Sequence, residues 1–226
     1  MNSTRTYRFF DLPTVSRDVA RTDAALVKRA TEFGTATIHE AAGKIGVLPP
    51  QIKPMAPSFA ISGPAVTVQS PGGDNLWLHR AIVAAQPGDV LVVTVDGVYE
   101  HGYWGEIMST AARARHLGGL VIDGCVRDGA ILERVGFPVF ARGLCIRGTG
   151  KDFSARGWIN HPLLVGDVTI NAGDLIVGDT DGVVAVPRDR VAEVLDKSRA
   201  RENKEADVMK KLDAGETTID LYGWDR

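Results

Sequence analysis

Residues 102–128 read GYWGEIMSTAARARHLGGLVIDGCVRD, and their order of loop, helix, Gly-Gly turn, apolar strand and charged pair decides the fold class. The helix expected over residues 106–116 advances about 16 Å at ~1.5 Å per residue. The strand expected over 120–124 returns about 16 Å at ~3.3 Å per residue. The two lengths cancel. Glu106 and the pair Arg127-Asp128, with twenty residues between them, are therefore expected to meet at one edge of a sheet. That edge lies outside the carboxyl end of a strand, where open α/β sheets hold ligands.

Outward from this unit the same alternation continues. Residues 90–95 are apolar at almost every position, a strand covered on both faces. Residues 62–69, SGPAVTVQ, alternate as a half-buried strand, and Asp74 caps a helix running to about Ala85. Residues 128–135 form a helix followed by a strand over 138–141. Toward the start, 16–33 carries an amphipathic helical pattern, and Thr37 with Glu40 reads as a capping box for a short helix ended by Gly46. Residues 160–187 hold short strands broken by Gly-Asp and Asp-Gly turns, a β-meander pattern. A charged helix over 189–212 follows. One mixed α/β domain spanning 1–226, with an arm over 1–15 and a C-terminal helix and tail over 188–226, is the expected organisation.

Composition excludes several classes. A net charge of −2 with no basic stripe argues against a nucleic-acid partner. No apolar run reaches the length of a membrane span, and residues 1–13 lack the apolar core of a signal peptide, so a cytoplasmic chain is expected. Cys125 and Cys145 lie in or beside apolar strand-like runs and are expected as small buried thiols rather than a disulfide.

The residue types at the sheet edge suit a site that forms an enolate. Gly105 opens a helix whose first free N–H groups, near Ile107 and Met108, can hold a carboxylate. Arg127 offers a planar fork for carboxylate or enolate oxygens. Asp128 and Glu106 can hold a hard cation such as Mg²⁺, which keeps several waters and takes few protein carboxylates. The bland alternative is a helix-dipole glutamate beside a surface ion pair.

Gly105-Glu106, twenty residues, then Arg127-Asp128 resembles the acidic-x20-Arg-Asp signature of the RraA-like class II pyruvate aldolases. Further blocks in family order are GTATIHEA (34–41), GPAVTV (63–68), GDNLWLH (73–79), GDVLVV (88–93) and GDTDGVVAVP (178–187). The resemblance is strongest to aldolases acting on 4-hydroxy-4-methyl-2-oxoglutarate or 4-carboxy-4-hydroxy-2-oxoadipate. It implies a layered α/β sandwich of the swivelling β/β/α type, assembled as trimers that pair into hexamers, with active sites between subunits. It implies a 2-oxo acid substrate and Mg²⁺ or Mn²⁺ held directly by Asp128, with Glu106 holding a metal-bound water. Arg127 would bind the pyruvyl oxygen, and Asn75 and His79 would line the pocket. Glu205 aligns with a glutamate that a neighbouring subunit donates. Family members often carry aspartate at the position of Glu106.

Other features read as structural. His39 sits beside Glu40, and Asp179-Thr180-Asp181-Gly182 is a hairpin turn, since apolar residues replace the later ligands of a calcium loop. The lysines sit mostly among charges or at loop ends, which disfavours Schiff-base chemistry. A methyltransferase would need a glycine-rich loop after a strand with a following acid, and none stands out. The rival class is a non-enzymatic RraA-type regulator of an RNA-degrading endonuclease, which lacks the acid after the arginine.

Overall fold

The computed structural model describes residues 7–225. Its strands are β1 (Lys53–Pro54), β2 (Ile61–Gln69), β3 (Val90–Thr94), β4 (Gly119–Asp123), β5 (Cys125–Val126) and β6 (Val139–Ala141). They continue with β7 (Gly143–Leu144), β8 (Trp158–Ile159), β9 (Leu163–Val165), β10 (Val168–Ile170), β11 (Leu175–Gly178) and β12 (Val183–Val186). The helices are α1 (Ala24–Ala30), α2 (Thr35–Ala41), α3 (Leu76–Ala84), α4 (Glu106–Ala114), α5 (Gly129–Val135), α6 (Val191–Asp213) and α7 (Thr218–Tyr222).

The main sheet has the order β1-β6-β4-β3-β2-β11-β12, with β8 also pairing β2. Its centre, β2-β3-β4-β6, is parallel. Each parallel step needs a crossover, and α3, α4 and α5 provide them. This places the carboxyl ends of β2, β3 and β4, at Gln69, Thr94 and Asp123, along one edge. β3 and β4 are buried at every position, as strands covered on both faces must be.

Residues 62–69 are not half-buried as their alternation suggests: β2 is buried at almost every position. Its faces are covered by α1, α3 and β9, while β3 pairs one edge and β11 and β8 share the other. The region 160–187 is likewise not one meander. β9 and β10 form a separate hairpin, whereas β11 and β12 join the main sheet beside β2. Gly173 and Asp174 make that switch, each bonding through the backbone to Ala65. The β11–β12 hairpin then separates two apolar clusters. Ile176, Val183 and Ala185 face the central core, while Leu175, Val177, Val184 and Val186 pack with α1, α2 and the start of α6.

The amphipathic stretch 16–33 is helical only over α1, capped by Asp23, whose side chain accepts from the Ala25 N–H at 2.8 Å. Residues before it are held extended by distant partners. Ser16 bonds Ile159, Thr22 bonds Gly173, and Arg21 grips the buried Asp89 through two bonds of 2.8 and 2.9 Å. Thr37 is not an N-cap but lies inside α2, which begins two residues earlier and ends at Ala41. Its cap comes from Asp179, whose carboxylate accepts from the Thr35 N–H at 2.8 Å and its hydroxyl at 2.7 Å. The Asp179–Gly182 segment is the expected turn, here between β11 and β12. Of the expected arm, residues 1–6 lie outside the described residues, and Arg8–Asp11 forms one 3-10 turn. Cys125 and Cys145 are unpaired and only half-buried.

Candidate active site

Glu106 and Asp128 meet as the out-and-back lengths require: the Glu106 N–H donates to Asp128 Oδ2 at 3.0 Å. Asp128 precedes α5 as a cap residue, yet it makes no capping bond to its own helix. Its backbone lies in the left-handed region, φ 63° and ψ 31°, which is uncommon outside glycine. That conformation sends the carboxylate across to α4 instead. Gly105 is required opposite it, because a Cβ there would lie 2.3 Å from Asp128 Oδ2. The Arg127 N–H donates to Trp104 O at 2.8 Å, and the Arg127 Nε lies 3.7 Å from Asp128 Oδ2. Two chain segments, 102–108 and 125–128, are thus stitched side by side.

These residues line a cavity of about 260 Å³ together with Ile107, Met108, Asn75 and His79. The N–H groups of Ile107 and Met108 have no acceptor among the described residues, as the first turn of a helix leaves them. Asn75 is buried and spends its amide on the protein, its Nδ2 donating to Tyr103 O at 2.8 Å and its Oδ1 accepting from Lys151 Nζ at 2.9 Å. Burial, reinforced by the Lys151 ammonium and opposed by Asp74, holds His79 below its ordinary pKa, so its ring is neutral at neutral pH.

Lys151 is the residue the sequence reading missed. It lies in the loop 148–157, exposed and beside Asp152, in keeping with the expectation that the lysines sit mostly among charges or at loop ends, yet it lines the cavity. Backbone bonds from Gly150 to Gly73 and from Asn75 to Gly150 pin this loop to the start of α3 and swing Lys151 into the cavity. The run Gly148-Thr149-Gly150 before it carries no local signal of this, since a Cβ at Gly148 would meet nothing within 4 Å and one at Gly150 only ordinary contacts of 3.5 and 3.7 Å. Glu205 is not among the residues lining this cavity. It lies on α6, half-exposed, paired with Arg201 at 2.7 Å. His39 is a loop tie, with Nδ1 3.1 Å from Ile45 O.

The lining carries two carboxylates, Glu106 and Asp128, against two cations, Arg127 and Lys151. Asp128 Oδ1 and the Glu106 carboxylate make no hydrogen bond among the described residues. One positioned carboxylate, one movable carboxylate and room for water fit a hard divalent cation. No cluster of three or more His, Cys, Asp or Glu occurs among the described residues, so such an ion would have few protein ligands. With it bound, the cavity would be net positive and suited to a dianion.

Comparison with known proteins identifies the family. Residues 35–185 match the RraA-like family, described as Aldolase/RraA. A Halalkalibacterium halodurans protein provisionally named 4-hydroxy-4-methyl-2-oxoglutarate aldolase is 36% identical over 168 residues, 74% of this chain and 79% of that protein. An uncharacterised Pseudomonas syringae pv. tomato protein superposes with a TM-score of 0.77 at 28% identity, covering 88% of this chain and 93% of that one. A Streptomyces coelicolor member of the RNase ES inhibitor RraA protein family gives a TM-score of 0.73 at 25% identity, covering 85% and 99%. The mixed α/β architecture is that of these proteins, and the chain belongs to the RraA-like family.

Proposed function

We propose that this protein cleaves a 4-hydroxy-2-oxo acid bearing two or three carboxylates to pyruvate and a second oxo acid. The convergence of Glu106, Arg127 and Asp128 on one cavity that Lys151 also lines carries this reading. The free N–H groups of Ile107 and Met108 suit the 1-carboxylate of the substrate. Arg127 suits the 2-oxo oxygen, where negative charge collects as the C3–C4 bond breaks. Lys151 suits a carboxylate on the C4 side. The proton leaving the C4 hydroxyl passes to a water oriented by Glu106 or, between subunits, by Glu205, and a proton returns to C3 of the pyruvate enolate. Asp128, with Glu106 through water, would hold Mg²⁺ or Mn²⁺, which supplies Lewis-acid stabilisation of the developing enolate. Oxaloacetate decarboxylation passes through the same enolate and is proposed as a second activity.

The likeness to the Streptomyces RraA protein favours a second reading, a regulator that binds an RNA-degrading endonuclease. Asp128 argues for chemistry, since its left-handed backbone presents a carboxylate that no fold contact beyond Glu106 and Arg127 uses. The deciding experiment measures pyruvate release from a panel of 4-hydroxy-2-oxo acids, with EDTA and after restoring Mg²⁺ or Mn²⁺. Release that EDTA abolishes and metal restores is expected. No release from any substrate favours the regulator. Full activity in EDTA, with borohydride trapping an adduct on Lys151, replaces the metal mechanism with a Schiff base.

A further inference from the structure

A second, larger cavity of about 630 Å³ lies against the same helix, and it shares no lining residue with the candidate active site. Helical spacing explains the split. Asn75 and His79, four residues apart, line one cavity, whereas Trp77 and Arg80, three apart, line the other. The loop 148–157 divides likewise: Lys151 serves the first and Phe153 and Arg156 the second.

The walls of this second cavity include Trp77, Phe9 and Phe153. The Trp77 ring is fixed, its Nε1–H donating to Ala155 O at 3.2 Å. Gly157 lets the loop settle on it, because a Cβ there would lie 2.7 Å from the ring. Phe153 is 79% exposed at the rim. Three guanidiniums, those of Arg8, Arg80 and Arg156, complete the lining, which holds no carboxylate.

None of these three arginines forms an ion pair among the described residues, whereas Arg17, Arg21, Arg29, Arg142 and Arg199 all do. Arg80 stacks over the Trp77 ring at 4.5 Å and reaches the Phe9 ring at 6.0 Å. Burial lowers its pKa against the pull of Asp74. The flanking acids are already occupied: Asp74 accepts from the N–H groups of Leu76 and Asp152, and Asp152 from Ser154. Three like charges around an aromatic hollow repel one another until an anion enters. A volume of this size is that of a small-molecule site.

We propose that this cavity binds a small flat aromatic ring carrying a carboxylate or a phosphate. The ring lies against Phe9 and Phe153, beside the Arg80–Trp77 stack, and the anionic group is held by Arg8, Arg80 and Arg156.

Calorimetric titration of the full chain with phthalate and with AMP tests this, with inorganic phosphate and cyclohexanecarboxylate as controls. Saturable binding of phthalate or AMP is expected, and which of the two binds tells the carboxylate from the nucleotide source. Loss of one charge-assisted contact in Arg80→Ala or Arg156→Ala should weaken it roughly ten- to hundredfold. Phe153→Ala, at an exposed rim position, should weaken it without unfolding the chain. Asp128→Ala should leave binding intact, which separates this cavity from the active site. Failure of both probes to saturate overturns the proposal, as does binding that survives Arg80→Ala but vanishes in Asp128→Ala. Binding that appears only when residues 1–6 are removed overturns the proposal for the full chain. If Arg80→Ala instead dissociates an oligomer, the cavity is an interface between copies and the proposal fails.

Discussion

Asp128 is held at a positive φ by the chain around it, and its carboxylate faces Glu106 and Arg127 instead of capping its own helix. Backbone strain of this kind, of order 1–3 kcal/mol, persists where function uses it. Asp128→Gly suits the left-handed backbone better and removes the carboxylate. It should therefore keep or raise the melting temperature while abolishing turnover and metal affinity. A melting temperature lowered by several degrees would show that Asp128 holds the fold rather than the reaction. Glu106 plays a different part, since its carboxylate makes no hydrogen bond or ion pair among the described residues and lines the cavity. Glu106→Gln keeps the shape and removes the charge, so kcat should fall by roughly 10²–10⁴. KM and the metal requirement should change little, and Glu106→Asp should stay partly active. Metal titration and steady-state kinetics on one variant decide the matter: a hundredfold weaker metal constant with kcat preserved makes Glu106 a direct ligand.

At the scale of elements, Asp179 joins three pieces of structure. Its carboxylate caps α2 through Thr35 and accepts from Asp181 inside the β11–β12 turn. Burial raises its pKa, but the bonds from Thr35, Asp181 and Gly182 outweigh it and hold the carboxyl below its ordinary value. The folded state therefore binds fewer protons here than the unfolded chain. The stabilisation is fully present above the ordinary carboxylate range and is lost as pH falls through the folded value. Asp179→Ala should cost about 1–2 kcal/mol at neutral pH, the usual range for a lost cap. Denaturant melts at pH 7 and pH 3 should show the gap between wild type and variant narrowing in acid. An equal gap at both values would mean that packing, not the ionised carboxylate, carries the effect.

For the whole molecule, the candidate-site cavity of one chain does not hold all the expected groups, because Glu205 sits on α6 with Arg201. α6 buries Val191, Val194, Leu195 and Ser198 at its start and leaves Met209 exposed, while α7 buries nothing. Ile219 and Tyr222 of α7 and Trp224 beyond it are also exposed. A helix is stabilised mainly by tertiary packing, so this tail is expected to pack on another copy. Sedimentation should show a trimer or hexamer. Mixing Arg127→Lys chains with Glu205→Gln chains should recover part of the activity that each lacks alone. A monomer with full turnover at micromolar concentration refutes shared sites.

What the sequence by itself determined rests on local lengths and periods. A helix and a strand of matched length bring Glu106 to Arg127-Asp128 whatever surrounds them, and the unbroken apolar run of β3 and the helices α3, α4 and α5 were legible for the same reason. What only the tertiary structure decided rests on partners far along the chain. Asp179 lies 144 residues from the helix it caps, and Thr22 lies 151 residues from the carbonyl of Gly173. No local pattern marks such bonds, so the starts of α1 and α2 shift from where propensity puts them. The packing of α1, α3 and β9 on β2 buries a strand whose own alternation suggests an exposed face. Lys151 enters the cavity because its loop is pinned to α3, and Asp128 takes its left-handed backbone because two neighbouring segments close around it. Periodicity measures distance along the chain, whereas these side chains are placed by contacts across it.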